Sequence, residues 1–276
     1  MEILIVIAKT DLERAVPAAK EPKGHIFARL EAEIREEVQN IAEEFLGDVA
    51  VQVVNGDPEG ELAMAVKNVA CSSVFLRNLH NLDLVLTSTG FGVVSTNDTA
   101  PASKIRVDAL DGELRARHLR YIETMMLWLF AIDGWYRQGL VPIDSLFCFF
   151  SFLTKFAGMQ QPLAKDWADA QPLIAEADGW LREKISDELM DDLIAKMATL
   201  SLNAKEKGVV HQIRRIIGVF IRGDRRTAQE YFRRLMNTIE GDLEAFPAYA
   251  GSQTYEVNHM KPYENKKDSS AFHFVG

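Results

Sequence analysis

The chain has 276 residues, of which 47% are hydrophobic and 26% charged, with a formal net charge of −9. That length allows one large domain or two of ordinary size, and the apolar content supports a substantial core. The acidic balance argues against a surface that binds nucleic acid all over, and two cysteines in separate apolar runs, Cys71 and Cys148, read as buried thiols in a reducing compartment rather than a disulfide framework.

The opening MEILIVIAKT lacks the positive start and small-residue cleavage site of a secretory leader and reads as a short strand. Thr10-Asp11-Leu12-Glu13 fits a capping box, which predicts a short helix ending before Pro17, then a loop over 17–24. Phe27, Leu30, Ile34, Val38, Ile41 and Phe45 recur at steps of three and four. That is one apolar stripe on a helix over 27–46, with Gly47 as its C-cap. Glu31, Glu33, Glu36, Glu37, Glu43 and Glu44 lie off the stripe and read as a solvated face or an acidic docking surface. After the turn at Asn55-Gly56-Asp57-Pro58, a second helix is expected over 61–80. Residues 85–95 read as an extended segment with glycines at 90 and 92, a hairpin or arm. Asn97 to Pro101 then leads into a helix over 103–135. That helix carries Arg106, Arg115, Arg117 and Arg120, then turns apolar nearly all round from Tyr121 to Trp135. Such a face predicts a place at the centre of its domain or beneath a neighbouring subunit.

Residues 140–158 (LVPIDSLFCFFSFLTKFAG) are interrupted by Asp144 and Lys155. The stretch is shorter than the roughly 20 apolar residues a membrane span requires, so it reads as a buried helix or a subunit contact. Residues 158–172 look like a junction. Helices are expected over 173–197, 208–222 and 227–246. Leu173, Ala177, Leu181, Ile185, Leu189 and Leu193 stripe the first, and Tyr231, Leu235, Ile239 and Leu243 the last. Beyond Pro247 an extended tail is expected, with short strands at 254–257 and 271–275 around a loop at 262–268. The expected fold class is therefore mainly α. Two similar helical-bundle modules, 1–157 and 158–276, would form an internal duplication with short β arms, one at 85–99 and one in the tail 247–276.

Chemistry is sparse in this reading. Gly90-Phe91-Gly92 lacks the third glycine of a dinucleotide loop, Ser95 standing there, and no helix follows directly. The six histidines, at 25, 80, 118, 211, 259 and 273, have no metal-ligand spacing. Cys71, Ser72 and Ser73 have no sequence context that announces a base. Asp187, Glu188, Asp191 and Asp192 sit on adjoining helical turns. Paired carboxylates can hold a divalent cation, but without a calcium loop they read as a solvated acidic face. No catalytic, cofactor-binding or metal residue is expected. The notable cluster is basic: His211, Arg214, Arg215, Arg222, Arg225, Arg226, Arg233 and Arg234 crowd a short span. It reads as a contact for phosphates, for an acidic partner, or for the glutamate-rich helix through salt bridges. Phe147, Phe149, Phe150, Phe152 and Phe156, with Trp128 and Trp135, read as core or as interface. Phe91 and Val93 of the arm join Phe147, Phe149, Phe150 and Phe152 as interface candidates.

Three stretches carry a family resemblance. They are the opening strand leading to Lys9-Thr10-Asp11-Leu12, the segment Ser88-Thr89-Gly90-Phe91-Gly92-Val93-Val94-Ser95 followed by Ala100-Pro101-Ala102-Ser103-Lys104, and the ending Phe246-Pro247-Ala248-Tyr249, Ser252, Tyr255, Tyr263, Asn265 and Phe272-His273-Phe274. Together they resemble an uncharacterised family of phage and prophage proteins from Bacteroidota (Bacteroides and its relatives), found among virion structural genes. The first half is also similar to the small helical adaptors that form rings under a phage portal and project an arm between neighbours. The resemblance implies a non-enzymatic head–tail connector with no cofactor and no membrane contact. It would be made in the bacterial cytoplasm and placed in the virion neck. Its partners would be its own copies in a ring, portal or neck subunits, and DNA passing through the lumen. The second helical module is a departure from the simple adaptors. The arginine cluster supports a different class, a nucleic-acid-binding protein of phage packaging or replication.

Overall fold

The computed structural model describes residues 2–20, 25–82, 84–87, 90–93 and 104–260, with the backbone alone over 84–93. Residues 2–8 run extended but join no sheet. Two amide side chains hold them in place instead. Gln39 accepts from Ile3 N (3.4 Å) and donates to Ile3 O (2.9 Å), while Asn55 accepts from Leu4 N (2.8 Å) and donates to Glu2 O (3.0 Å). Ile3 and Ile7 are buried and Leu4 and Val6 exposed. The expected strand is thus an extended segment docked on helices. Helix α1 (Lys9–Ala15) follows, and its cap is Asp11 rather than Glu13: Asp11 Oδ2 accepts from Ala8 N at 2.8 Å.

The first stripe forms α2 (His25–Ile41), burying Leu30, Ile34, Val38 and Ile41. A π turn over Ala42–Leu46 widens its end, Gly47 caps that turn as expected, and α3 (Gly47–Gly56) starts there. The wide turn leaves the Phe45 carbonyl to accept from Trp135 Nε1 at 2.7 Å. Gly47 has φ +62°, and a Cβ there would lie 2.5 Å from Leu140 Cδ1. The positive φ favours glycine, whereas Leu140 is a flexible side chain that can yield. The acidic face of α2 is turned to structural use in part: Glu37 accepts from Ser73 and Arg77, and Glu33 from Asn78.

Those donors lie on α4 (Glu61–Asn78), which is buried on most sides and lies at the centre of the first half, against α1, α2 and α5. Its small residues, Ala63, Ala65, Ala70, Cys71 and Ser72, let neighbours come close. Strands β1 (Leu84–Thr87) and β2 (Gly90–Val93) pair antiparallel, Leu84 opposite Val93 and Thr87 opposite Gly90. Helix α5 (Lys104–Phe130) ends earlier than expected. It is not buried all round near its end: Met125, Met126, Leu129 and Phe130 are buried, but Leu127 and Trp128 remain 47% and 42% exposed. The central place expected for this helix belongs to α4.

Residues 140–158 are mostly irregular, with one helical turn, α6 (Phe152–Lys155). Phe152 lies at the hub of an edge-to-face cluster, with ring centroids 5.5 Å from Phe147, 5.3 Å from Phe149 and 5.2 Å from Phe156. Helix α7 (Ala164–Lys184) starts nine residues before the expected 173. Asp166 Oδ2 caps Leu163 N at 2.7 Å, and Pro172 is carried inside at the loss of one backbone hydrogen bond. The stripe from Leu173 to Leu193 spans two helices. Ser186 Oγ accepts from Leu189 N at 3.1 Å and starts α8 (Asp187–Ala198). Asn203 and Glu206 form a reciprocal capping box that starts α9 (Ala204–Ile221), and Asp224 caps α10 (Arg225–Glu240). The expected extended tail is helical where it is described: α11 (Pro247–Ala250) and α12 (Gln253–Asn258) replace the strand expected at 254–257. Residues 94–99 of the expected arm, and the tail from 261, including the strand expected at 271–275, lie outside the described residues.

The chain is mainly helical, as expected. Among the described residues the order and lengths of elements in the two halves do not match one to one, and the expected internal duplication is not shown. One continuous set of buried side chains runs across the 157/158 division.

Candidate functional site

The arginine cluster does not act as a unit. Arg214 is turned inward. Its guanidinium lies 4.4 Å over the Phe152 ring, and Nε donates to Leu146 O at 2.9 Å. Burial holds its pKa below the usual guanidinium value. It serves the irregular 140–158 backbone. Arg225 stacks on Phe220 at 3.0 Å and pairs with Glu176 on α7, and Arg226 pairs with Glu230 at 3.6 Å. None of the cluster meets the glutamates of α2.

Arg233 is exposed on α10 and lines neither hollow. His211, Arg215, Arg222 and Arg234 gather where α9, α10 and the end of α6 meet. Lys155, Phe156, His211, Arg215, Val219, Arg222 and Tyr231 line a cleft of about 250 Å³. A smaller hollow of about 100 Å³, lined by Gln212, Arg215, Tyr231 and Arg234, adjoins it. Arg215 lies 4.7 Å over the Tyr231 ring and donates to its hydroxyl at 3.2 Å, so this guanidinium is held in place. Lys155 Nζ lies 5.3 Å from the Phe156 ring centroid, and His211 packs edge-on to the same ring. The positive field is registered by His211. Partial burial first, then Arg215, Lys155 and Arg214, hold its pKa below the ordinary imidazole value. Neither lining contains a carboxylate. Lys155 was outside the cluster seen in sequence because it lies on a different element. Only the fold brings it to α9.

The aromatic interface candidates are placed differently. Phe147, Phe149, Phe150 and Phe152 are 1%, 8%, 3% and 7% exposed, so their area is already covered by this chain and they are corrected from interface to core. Phe156 and Trp135 are buried as well. Phe91 and Val93 fall on β2, where only the backbone is described.

A second cavity, of about 540 Å³, opens between the halves, walled by Ile122, Met126, Phe130, Phe149, Trp167 and Ile174 among others. Its titratable groups are Asp144, Cys148 and Asp178. Asp178 is buried, and burial raises its pKa from the ordinary carboxylate value even though Arg182 Nε donates to Oδ2 at 2.7 Å. Burial also pushes the Cys148 thiol up to about 11. The nucleophilic form of cysteine is the thiolate, so at neutral pH this thiol is poorly suited to attack. No histidine or lysine lines the cavity.

One pair had no sequence signal: Ser72 Oγ lies 2.8 Å from His118 Nδ1. A serine–histidine pair invites a nucleophile reading. The geometry favours a packing role. Ser72 Oγ is also within hydrogen-bond distance of Asn68 O (2.7 Å) and Val69 O (3.1 Å), and with its single proton on either carbonyl His118 Nδ1–H is the donor to Oγ. A base would have to accept that proton instead. Burial lowers the His118 pKa and favours neutral imidazole, as suits an α4–α5 contact. Cys71 is raised to about 12 by burial. Three of the four acidic residues of α8 turn to cations. Asp187 and Asp191 accept from Arg182 (3.3 and 2.7 Å), and Asp192 from Lys196 (2.6 Å). Among the described residues no group of three His, Cys, Asp or Glu side chains is placed to hold a metal ion. No helix among them is long and apolar enough to cross a membrane.

A family model described as "Family of unknown function (DUF6712)" matches residues 35–137, from within α2 to just beyond α5. No curated protein and no solved structure matches the chain.

Proposed function

We propose that the chain is a non-enzymatic structural protein of a phage virion, a head–tail connector or adaptor that assembles with its own copies at the portal or neck. The observation that carries the assembly reading is α5. None of its first ten residues, 104–113, is fully buried, and near its other end Leu127 and Trp128 face outward side by side. At about 1.5 Å per residue those ten residues extend roughly 15 Å. Ile105 is 82% exposed on this stretch. The β1–β2 hairpin lies just before it in the chain and is the candidate arm toward a neighbour. A tryptophan and a leucine left open at one spot suit the apolar centre of a subunit contact.

The position in the neck rests on the resemblance of the opening, central and closing motifs to Bacteroidota phage proteins. The aromatic cluster of 147–156 contributes nothing to this interface, because it is internal. The reading is tested by negative-stain microscopy of the purified full chain. Closed rings or stacked oligomers are expected. Particles of single-chain size at every concentration contradict it.

A further inference from the structure

We propose that the cleft between α6, α9 and α10 binds the phosphodiester backbone of a nucleic acid, with Lys155, Arg222 and Arg234 each meeting a separate phosphate and Arg215 held between them. The inference rests on residues of one chain and stands whether or not copies assemble.

Four observations lead there. First, the cations converge without counter-charge: Lys155, Arg215, Arg222 and Arg234 make no ion pair with a carboxylate among the described residues, whereas Arg225 and Arg226 of the same cluster do. Asp224, within Coulombic reach of Arg222, is engaged in capping α10 through Thr227 N at 3.0 Å. Like charges held together in an acidic protein oppose stability unless something else uses them. Second, the arrangement is partly preorganised. Arg215 is locked on Tyr231 by stacking and by its bond to the hydroxyl, so less side-chain freedom is lost when an anion arrives. Third, the site is repeated. The two hollows share Arg215 and Tyr231, and Arg222 lies two helical turns beyond Arg215 on α9, about 10 Å along the axis. A repeating anion uses both hollows, whereas one isolated phosphate or carboxylate uses one. Fourth, the net charge of −9 does not forbid it. Exposed charges beyond about 10 Å are largely screened at 0.1 M salt, so the local cations decide.

The test is fluorescence anisotropy with a labelled 25-base single strand and the matching duplex, on the full chain, over a salt series. The wild type should bind at low salt and weaken log-linearly. Lys155→Gln with Arg222→Gln removes two exposed cations that hold no ion pair. It should lower affinity at least tenfold and reduce the salt slope by about 1.4 on the single strand or 1.8 on the duplex, at 0.7 or 0.9 per phosphate contact. Arg234→Gln, singly, should reduce it by half as much. Arg35→Gln with Arg117→Gln, both cations of other helices, should leave the slope unchanged. Thermal melts of all variants confirm folding. Three results overturn the proposal: no salt-dependent binding by the wild type, an unchanged slope in the cleft variants, or displacement of the strand by polyglutamate or by inorganic phosphate at matched charge. Polyglutamate displacement would assign the cleft to an acidic protein, and phosphate displacement to an isolated anion.

Discussion

Gly218 and Gly179 show how one residue type takes opposite signs. Both sit inside helices, where alanine is ordinarily better by roughly 0.5–1 kcal/mol. A Cβ on Gly179 would meet nothing within 4 Å, whereas one on Gly218 would lie 2.4 Å from the backbone carbonyl of Phe156. Backbone cannot yield as a flexible side chain can, so overpacking dominates there. Gly218→Ala should destabilise by about 1–3 kcal/mol, and Gly179→Ala should stabilise by up to about 1 kcal/mol, both read by urea unfolding. The same close approach explains how the irregular 140–158 segment is pinned to α9. His118 gives a pH dependence. Its folded pKa is below the unfolded value of about 6.5. Between the two, the unfolded chain binds a proton that the folded chain refuses. This contribution is fully present above the unfolded pKa and is lost as pH falls toward the folded one. Unfolding free energy should drop from about pH 7.5 to 5.5 in the wild type and drop less in His118→Gln. Equal slopes in the two proteins would remove His118 as a cause. His211, lowered in the same direction, is common to both.

At the scale of elements, caps decide where helices begin. Ser186 is fully buried and its Oγ starts α8, so Ser186→Ala should cost about 0.5–2 kcal/mol with no change in fold. A loss below that range, measured by chemical unfolding, would show that packing alone places α8. Arg182 spans the same corner, binding Asp178 on α7 and Asp187 and Asp191 on α8. Apolar periodicity was legible: every residue of the stripe from Leu173 to Leu193 is buried or half-buried, and so is every residue of the stripe from Phe27 to Phe45. It did not show where one helix gives way to another, because Ile185 and Leu189 keep the stripe in phase across the break at Ser186. The capping box at Asn203 and Glu206 was readable as a motif and would have moved the start of α9 from 208 to 204. Two features came from tertiary effects. The Phe45 carbonyl, in the π turn before Gly47, finds a partner in Trp135, ninety residues away. The centre of the first half went to α4 because small residues pack closer than the large apolar ones of α5, a comparison that periodicity does not make.

For the whole molecule, the two halves are joined by one core and share the cavity beside Asp178. The basic cleft was half legible. The arginines were visible in sequence, but which of them point inward, and that Lys155 joins them, depended on the fold. The aromatic run at 147–156 was ambiguous in sequence between core and interface, and its placement inside shifts the burden of assembly to α5. The central claim is that this chain works by contact with its own copies. It is tested most directly by measuring native mass in solution, by sedimentation velocity, for the wild type and for Leu127→Glu with Trp128→Glu. These two residues are already open to solvent, so charge there leaves the core intact. The wild type is expected at a multiple of the 31.0 kDa chain and the double variant at one chain with an unchanged melting temperature for its own fold. A wild type that stays at the mass of one chain across the whole concentration range, or a double variant that assembles as the wild type does, would contradict it.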